Sequence, residues 1–179
     1  MSERGKLIAI SVVISLATVA SYWGVWGHRF LLLDDPLYVT QQPMVQKGLT
    51  AQGIWWAFTT KAASNYHPIT WLSHMLDCSL FGMSAAGPHS VNLAIHIANA
   101  IILLLVFWRM TAALRLSAFV AAVFALHPLH VESVAWASER KDVLSAFFFF
   151  LTLIIYGKLQ RSKLPSSCQT PWLIVIKQK

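Results

Sequence analysis

The chain has 179 residues, of which 56% are apolar and 12% charged, with a mean hydropathy of +0.57; this excludes a disordered tail and an ordinary soluble domain. Lys and Arg number 14 against 7 Asp and Glu, a formal charge of +7, yet the charges sit between long uncharged runs. A charge at mid-bilayer costs about 2.5–3.5 kcal/mol, so the spacing describes a multi-pass membrane protein and argues against nucleic acid as a partner.

Residues 1–6 form a basic N-terminus, and residues 7–26 form the first expected span, with Leu7 to Trp23 free of charge and close to the ~20 residues a bilayer requires. A cleaved signal peptide would share the basic start, but there is no good small-x-small site, and Tyr22, Trp23 and Trp26 fit an interfacial belt. An uncleaved anchor is the better reading. Residues 27–89 make a long loop punctuated by Pro36, Pro43, Pro68 and Pro88. Within it, Ile54 to Phe58 and Ile69 to Leu76 carry apolar residues at helical spacing, as helices lying on a membrane surface would. Residues 90–108 are a second span, 109–115 a short basic loop, 116–131 a third span, 132–142 a second polar loop, and 143–157 a fourth span. Residues 158–179 form a tail that starts with Lys158, Arg161 and Lys163.

The expected fold is therefore all-α and multi-pass, with about four transmembrane helices and a partly helical first extracytoplasmic loop. Arg4, Lys6, Arg109, Arg115, Lys158, Arg161, Lys163, Lys177 and Lys179 fall on one side, leaving Arg29, Lys47, Lys61, Arg140 and Lys141 for the other. The positive-inside rule then puts both termini, 109–115 and 158–179 in the cytoplasm and places 27–89 and 132–142 outside. Cys78 and Cys168 are assigned to opposite faces, so no disulfide is expected. The sequence has no 20- to 50-residue repeat and no Walker loop, GxGxxG, CxxC or HExxH pattern.

Six of the seven acidic residues fall on the outer face. Asp34-Asp35-Pro36 follows the apolar Phe30 to Leu33 run, which holds a carboxylate pair just above the bilayer. Repulsion and partial burial can raise one of the two toward the range of a general base, although such a tripeptide is also a common turn or helix start. The second outer segment gathers His127, His130, Glu132, Arg140 and Lys141. The first three can ligate metal or hydrogen-bond a polar substrate; HxxHxE lacks helical zinc spacing and Pro128 disfavours helix at His127, which favours structural hydrogen bonding. Arg140 and Lys141 can neutralise a phosphate or form an interfacial charge pair. Asn92 and His96 share one side of the second span, where polar groups face a bundle interior.

Taken in order, Asp34-Asp35-Pro36, Tyr66 to Thr70 (YHPIT), Phe81-Gly82, Pro88 to Asn92 (PHSVN), His96 and Phe124 to Ala135 (FALHPLHVESVA) resemble the transmembrane and tetratricopeptide-repeat O-mannosyltransferase family, from about Trp26 to Gly157. The resemblance implies a GT-C class membrane glycosyltransferase fold and an inverting transfer of a sugar, mannose by family, from a polyprenyl-phosphate donor to a hydroxyl of a protein or glycan on the extracytoplasmic face. It implies Asp34 or Asp35 as the base, with Arg140 offsetting charge on the phosphate and His127, His130 and Glu132 contacting the substrates. No cofactor and no metal site are assigned, and metal dependence is left open, since GT-C enzymes differ in it. Membrane lipid, the polyprenyl-phosphate sugar and the acceptor are the expected partners. The bacterial cytoplasmic membrane is the expected location, with the endoplasmic reticulum as the alternative.

The family carries many more spans and a tetratricopeptide array, so the 179 residues read as a truncated N-terminal piece. The alternative is a noncatalytic four-span membrane protein that binds haem or metal through His96, His127 and His130, or a partner subunit through Phe147 to Phe150.

Overall fold

The computed structural model describes residues 2–163, and every regular element among them is helical. The cytoplasmic placements expected for Cys168, Lys177 and Lys179 lie outside the described residues. Eight α-helices follow in order: α1 (Glu3–Ser21), α2 (Pro43–Gln46), α3 (Ala51–Thr59), α4 (Pro68–Phe81), α5 (Ala86–Thr111), α6 (Leu114–Leu126), α7 (Val131–Ala135) and α8 (Arg140–Lys163). Three apolar helical stretches are long enough to cross a membrane: α1, α5 and the segment Ala137–Gln160 that contains most of α8. The pair α6 and Pro128–Ala135 makes a fourth if counted as one broken span. The protein is an all-helical integral membrane protein.

The helix limits differ from the expected spans for local reasons. The first helix stops at Ser21, and a tight 3-10 turn carries Trp23–Gly27. The third stops at Leu126, because His127 precedes Pro128 and takes an extended conformation (φ −70°, ψ 131°). Residues 128–130 then form a separate 3-10 turn, so the continuous helix expected to residue 131 is broken. The fourth starts at Arg140, inside the expected loop.

The described residues form two compact units. The first comprises residues 2–21, His96–Pro128 and 145–163. There α1 packs on α6 around Ile14, Ala100, Leu104, Ala121 and Ala125. Three of these five are alanines, which allow backbones to approach where no water drives association. The hydroxyls of Ser11, Ser15 and Thr18 bond the carbonyls four residues back at 2.7–3.0 Å, which satisfies them without water. His96 Nε2 lies 3.1 Å from the Ala125 carbonyl and its ring stacks on Phe124. Ile8, Val13, Leu16, Leu116 and Phe119 point outward, the pattern of a surface solvated by lipid.

The second unit comprises Tyr22–Ile95 and Leu129–Leu144. Here α2 and α3 pack on α4 over a core of Tyr38, Val39, Val45, Ala57, Trp71 and Met75. Thr50 caps α3 by accepting the Gly53 N–H at 3.0 Å, and Pro68 opens α4 with φ preset for a helix. Gly87 is required by space: a Cβ there would lie 2.6–2.7 Å from the Phe81 side chain. Both expected surface helices form. Ile54, Trp55 and Phe58 of α3 and Ile69, Leu76 and Leu80 of α4 are exposed apolar residues, which fits helices resting on a bilayer.

Candidate functional site

The site lies in the second unit, where the acidic pair and the second polar loop converge. Asp35 is fully buried, and both of its oxygens are occupied: Leu31 N–H donates to Oδ2 at 2.7 Å and Ser138 N–H to Oδ1 at 3.0 Å. One carboxylate therefore ties the 28–31 segment to the segment after α7, across 103 residues of sequence. Asp34, its neighbour, is half-buried. Its backbone carbonyl receives the N–H groups of Leu37 and Tyr38, which starts the Pro36–Thr40 turn, while no described residue donates to its carboxylate. The two aspartates thus differ: Asp35 is held by two backbone N–H groups, whereas the Asp34 carboxylate holds no such bond among the described residues.

The 28–31 segment and the α7 region line an open cavity of about 440 Å³. His28, Arg29 and Leu31 line one side, and Val131, Glu132 and Trp136 the other. The side chains of Arg29 and Glu132 are exposed, and no described residue pairs with either. Trp136 adds an aromatic body whose Nε1 is buried without a hydrogen-bond partner. The walls are mostly apolar and carry one guanidinium, one carboxylate and an aromatic surface. Trp26 Nε1 donates to Ser90 Oγ at 2.8 Å, and His28 meets His89 edge-on at 6.0 Å, which fixes the entry into the 28–31 segment.

Arg140, expected to face a phosphate, is turned inward and fully buried. Its Nη2 donates to Asp77 Oδ2 at 2.7 Å and to the Pro88 carbonyl at 2.9 Å, while Nη1 reaches Ser73 Oγ and Nε reaches Asn92 Oδ1. Asn92 in turn donates to the Trp136 carbonyl at 2.9 Å. The guanidinium fork therefore links α4, the start of α5 and the start of α8, and leaves the backbone carbonyl beside the cavity held in place. Burial pushes the Asp77 carboxyl up while Arg140 pulls it down, and burial outweighs the partner.

Beside this pair lies a stack of His67, Tyr38 and Trp71, with centroids 5.1–5.3 Å apart, and the Lys141 ammonium sits 5.6 Å above the Tyr38 ring. His74 is fully buried behind it, its Nδ1 3.9 Å from Asp77. Burial, and then the Arg140 charge, hold the His74 imidazole well below its usual range. Burial also lowers His67, with Lys141 adding to the effect.

Of the remaining candidates, Glu132 lies on the cavity wall, His130 is half-buried at the start of α7, and His127 is exposed and falls in the other unit. Among the described residues, no group of three or more His, Cys, Asp and Glu is placed to hold a metal ion. Sequence reasoning missed Arg29 and Trp136 as cavity residues and Asp77 as the partner of Arg140. Asp77 carried a signal, being the single acidic residue of α4. Arg29 carried none beyond its charge.

No family model and no solved structure matches the chain. Human protein O-mannosyl-transferase TMTC2 is 32% identical over 161 residues, covering 82% of this chain and 18% of the relative. Human protein O-mannosyl-transferase TMTC1 is 29% identical over 136 residues, 70% of this chain and 15% of the relative. The Caenorhabditis elegans protein O-mannosyl-transferase F38B6.6 is 26% identical over 161 residues, 85% of this chain and 22% of the relative. The chain is a distant homologue of the TMTC protein O-mannosyltransferases. Homology extends over most of its own length, whereas the chain spans less than a quarter of the length of these relatives. A glycosyltransferase-related membrane protein is the class the chain falls in.

Proposed function

We propose that the second unit is the acceptor-activating part of a glycosyltransferase that moves mannose from a polyprenyl-phosphate donor to a hydroxyl of a protein or glycan, on the extracytoplasmic face of its membrane. The observation that carries this reading is the division of labour in the Asp34-Asp35 pair, which follows closely in sequence the residues 28–31 that line a mostly apolar cavity. Asp35 spends both oxygens on backbone N–H groups and so ties the 28–31 wall of the cavity to Ser138. Asp34 keeps its carboxylate for a proton.

In the proposed reaction the acceptor hydroxyl attacks the anomeric carbon as Asp34 takes its proton, and the bond from that carbon to the phosphate oxygen breaks with inversion. The electron pair leaves with the polyprenyl phosphate. Arg29, the cation on the cavity wall, meets the phosphate as charge builds on it, in the role first expected of Arg140. Glu132 and His130 orient hydroxyls of sugar or acceptor, and Trp136 offers its face to the sugar ring. The cavity volume falls within the range of about 300–1,000 Å³ usual for small-molecule sites. The apolar Leu31 to Leu33 run, with Leu32 94% exposed, supports a position against lipid, where the polyprenyl chain resides.

The test uses the chain in phospholipid nanodiscs with polyprenyl-phosphate [3H]mannose, following label that leaves the lipid phase. The wild type is expected to transfer label, and Asp34→Asn to lower the rate by about 10²–10⁴, the scale of one general base. A wild type that neither retains the donor nor transfers label, or an Asp34→Asn variant of equal rate, overturns the proposal.

A further inference from the structure

The first unit holds a separate cavity, of about 260 Å³, near the C-terminal ends of α5 and α8. Val106 and Met110 of α5 and Leu153 and Ile154 of α8 give it apolar walls, and Arg109 and Lys158 bring cations to it. The spacing places these groups together: residues 106, 109 and 110 lie on one face of α5, and 153, 154, 157 and 158 on one face of α8. Each helix thus presents an apolar turn and then, toward its end, a basic side chain.

Two further observations point to what fills it. Gly157 lines the cavity, and a Cβ added there meets nothing within 4 Å, so the helix surface is notched. The charge of the unit is also one-sided. Among its described residues the sole acidic side chain is Glu3, and Lys6 bonds it at 2.8 Å. Among the described residues the cavity lining includes no carboxylate.

We infer that this cavity is a binding site for one anionic phospholipid, with an acyl chain lying over the Gly157 notch and the phosphate meeting Arg109 and Lys158. A membrane protein with an apolar cleft open between two spans is solvated there by a lipid chain, and a basic rim at the end of the cleft selects the headgroup by charge. Arg109 lies in the last turn of α5 and Lys158 five residues before the end of α8, within the reach of a snorkelling side chain to the headgroup level. Zwitterionic lipid offers the same chains without net negative charge, so selectivity rests on the two basic side chains.

The chain in nanodiscs of phosphatidylcholine with a minor share of phosphatidylglycerol, released into mild detergent, is examined by native mass spectrometry for retained lipid. One phosphatidylglycerol per chain is expected, unaffected by added inorganic phosphate. The double variant Arg109→Gln, Lys158→Gln should lower its retention about tenfold or more, the scale of one to two basic contacts at a lipid surface. Gly157→Leu leaves both cations in place, improves helix propensity and fills the notch; it should lower retention as well. Equal retention of phosphatidylcholine, displacement by inorganic phosphate, or variants that retain lipid like the wild type would each overturn the assignment. The readout is lipid retention, so it is independent of sugar transfer.

Discussion

Two adjacent carboxylates with the same chemistry are separated by their donors. Asp35 accepts two backbone N–H bonds in a dry setting, and Asp35→Asn replaces one accepting oxygen by an amide nitrogen that cannot accept. Either Leu31 or Ser138 then loses its acceptor, at a cost of about 1–3 kcal/mol where the N–H is buried, as it is at Ser138. Thermal unfolding in detergent should show the midpoint fall for Asp35→Asn and stay near the wild type for Asp34→Asn, whose carboxylate holds no bond of this kind. His74 makes the same environment pH-sensitive. Its folded pKa is well below the ordinary 6.5, because charging it means charging a buried ring beside Arg140 and His67. The unfolded chain therefore takes up a proton as pH falls through 6.5 while the folded protein does not. Stability is full above that value and declines below it, by at most about 1.4 kcal/mol per pH unit for this group. A His74→Gln variant should flatten the dependence of the unfolding midpoint between about pH 7.5 and 5.5; an unchanged slope would exclude His74 as its source. His67 is lowered too and acts in the same direction.

At the scale of elements, the Arg140 fork is the main polar tie of the second unit, since it joins α4 through Asp77 and Ser73, and α5 through Asn92 and the Pro88 carbonyl. A buried pair of this kind contributes less to net stability than its loss costs, because desolvation opposes the Coulomb attraction. Arg140→Met leaves Asp77 buried without its partner and should cost about 3–5 kcal/mol. Adding Asp77→Leu to that variant should recover much of the loss in the same thermal assay. If the double variant were as unstable as the single one, the pair would be carrying a role beyond charge compensation. The short helices α2 and α3 depend on α4 for their stability, since neither has the length to persist alone. Trp71 and Met75 of α4 supply the buried surface they pack on.

For the whole molecule, the decisive quantity is the side of the membrane on which each loop lies. The positive-inside rule predicts 27–89 and 132–142 outside, and single-cysteine labelling checks it directly. In a background with Cys78 and Cys168 replaced, Lys61→Cys should react with an impermeant maleimide in intact cells, and Arg115→Cys only after permeabilisation. The reverse pattern would put Asp34 and the cavity on the cytoplasmic side and remove a polyprenyl donor at the outer face from consideration.

The helical class and three of the expected spans, with a fourth only as a broken pair, follow from the sequence because each crossing must satisfy the bilayer by itself. Length, hydropathy and flanking charge are local properties, and every backbone polar group is bonded within its own helix. The same locality made the surface helices readable at Ile54 to Phe58 and Ile69 to Leu76, and it located the acidic pair, Glu132 and the polar second loop. The roles of these side chains were a different matter. Which aspartate is pinned, why Arg140 faces Asp77, and why Arg29 with Glu132 and Trp136 borders the cavity depend on contacts spanning 63 to 103 residues of sequence. Such contacts arise from the packing of α4, α5 and α8, where burial forces each charge to find a partner. Spacing along the chain carries no record of that choice.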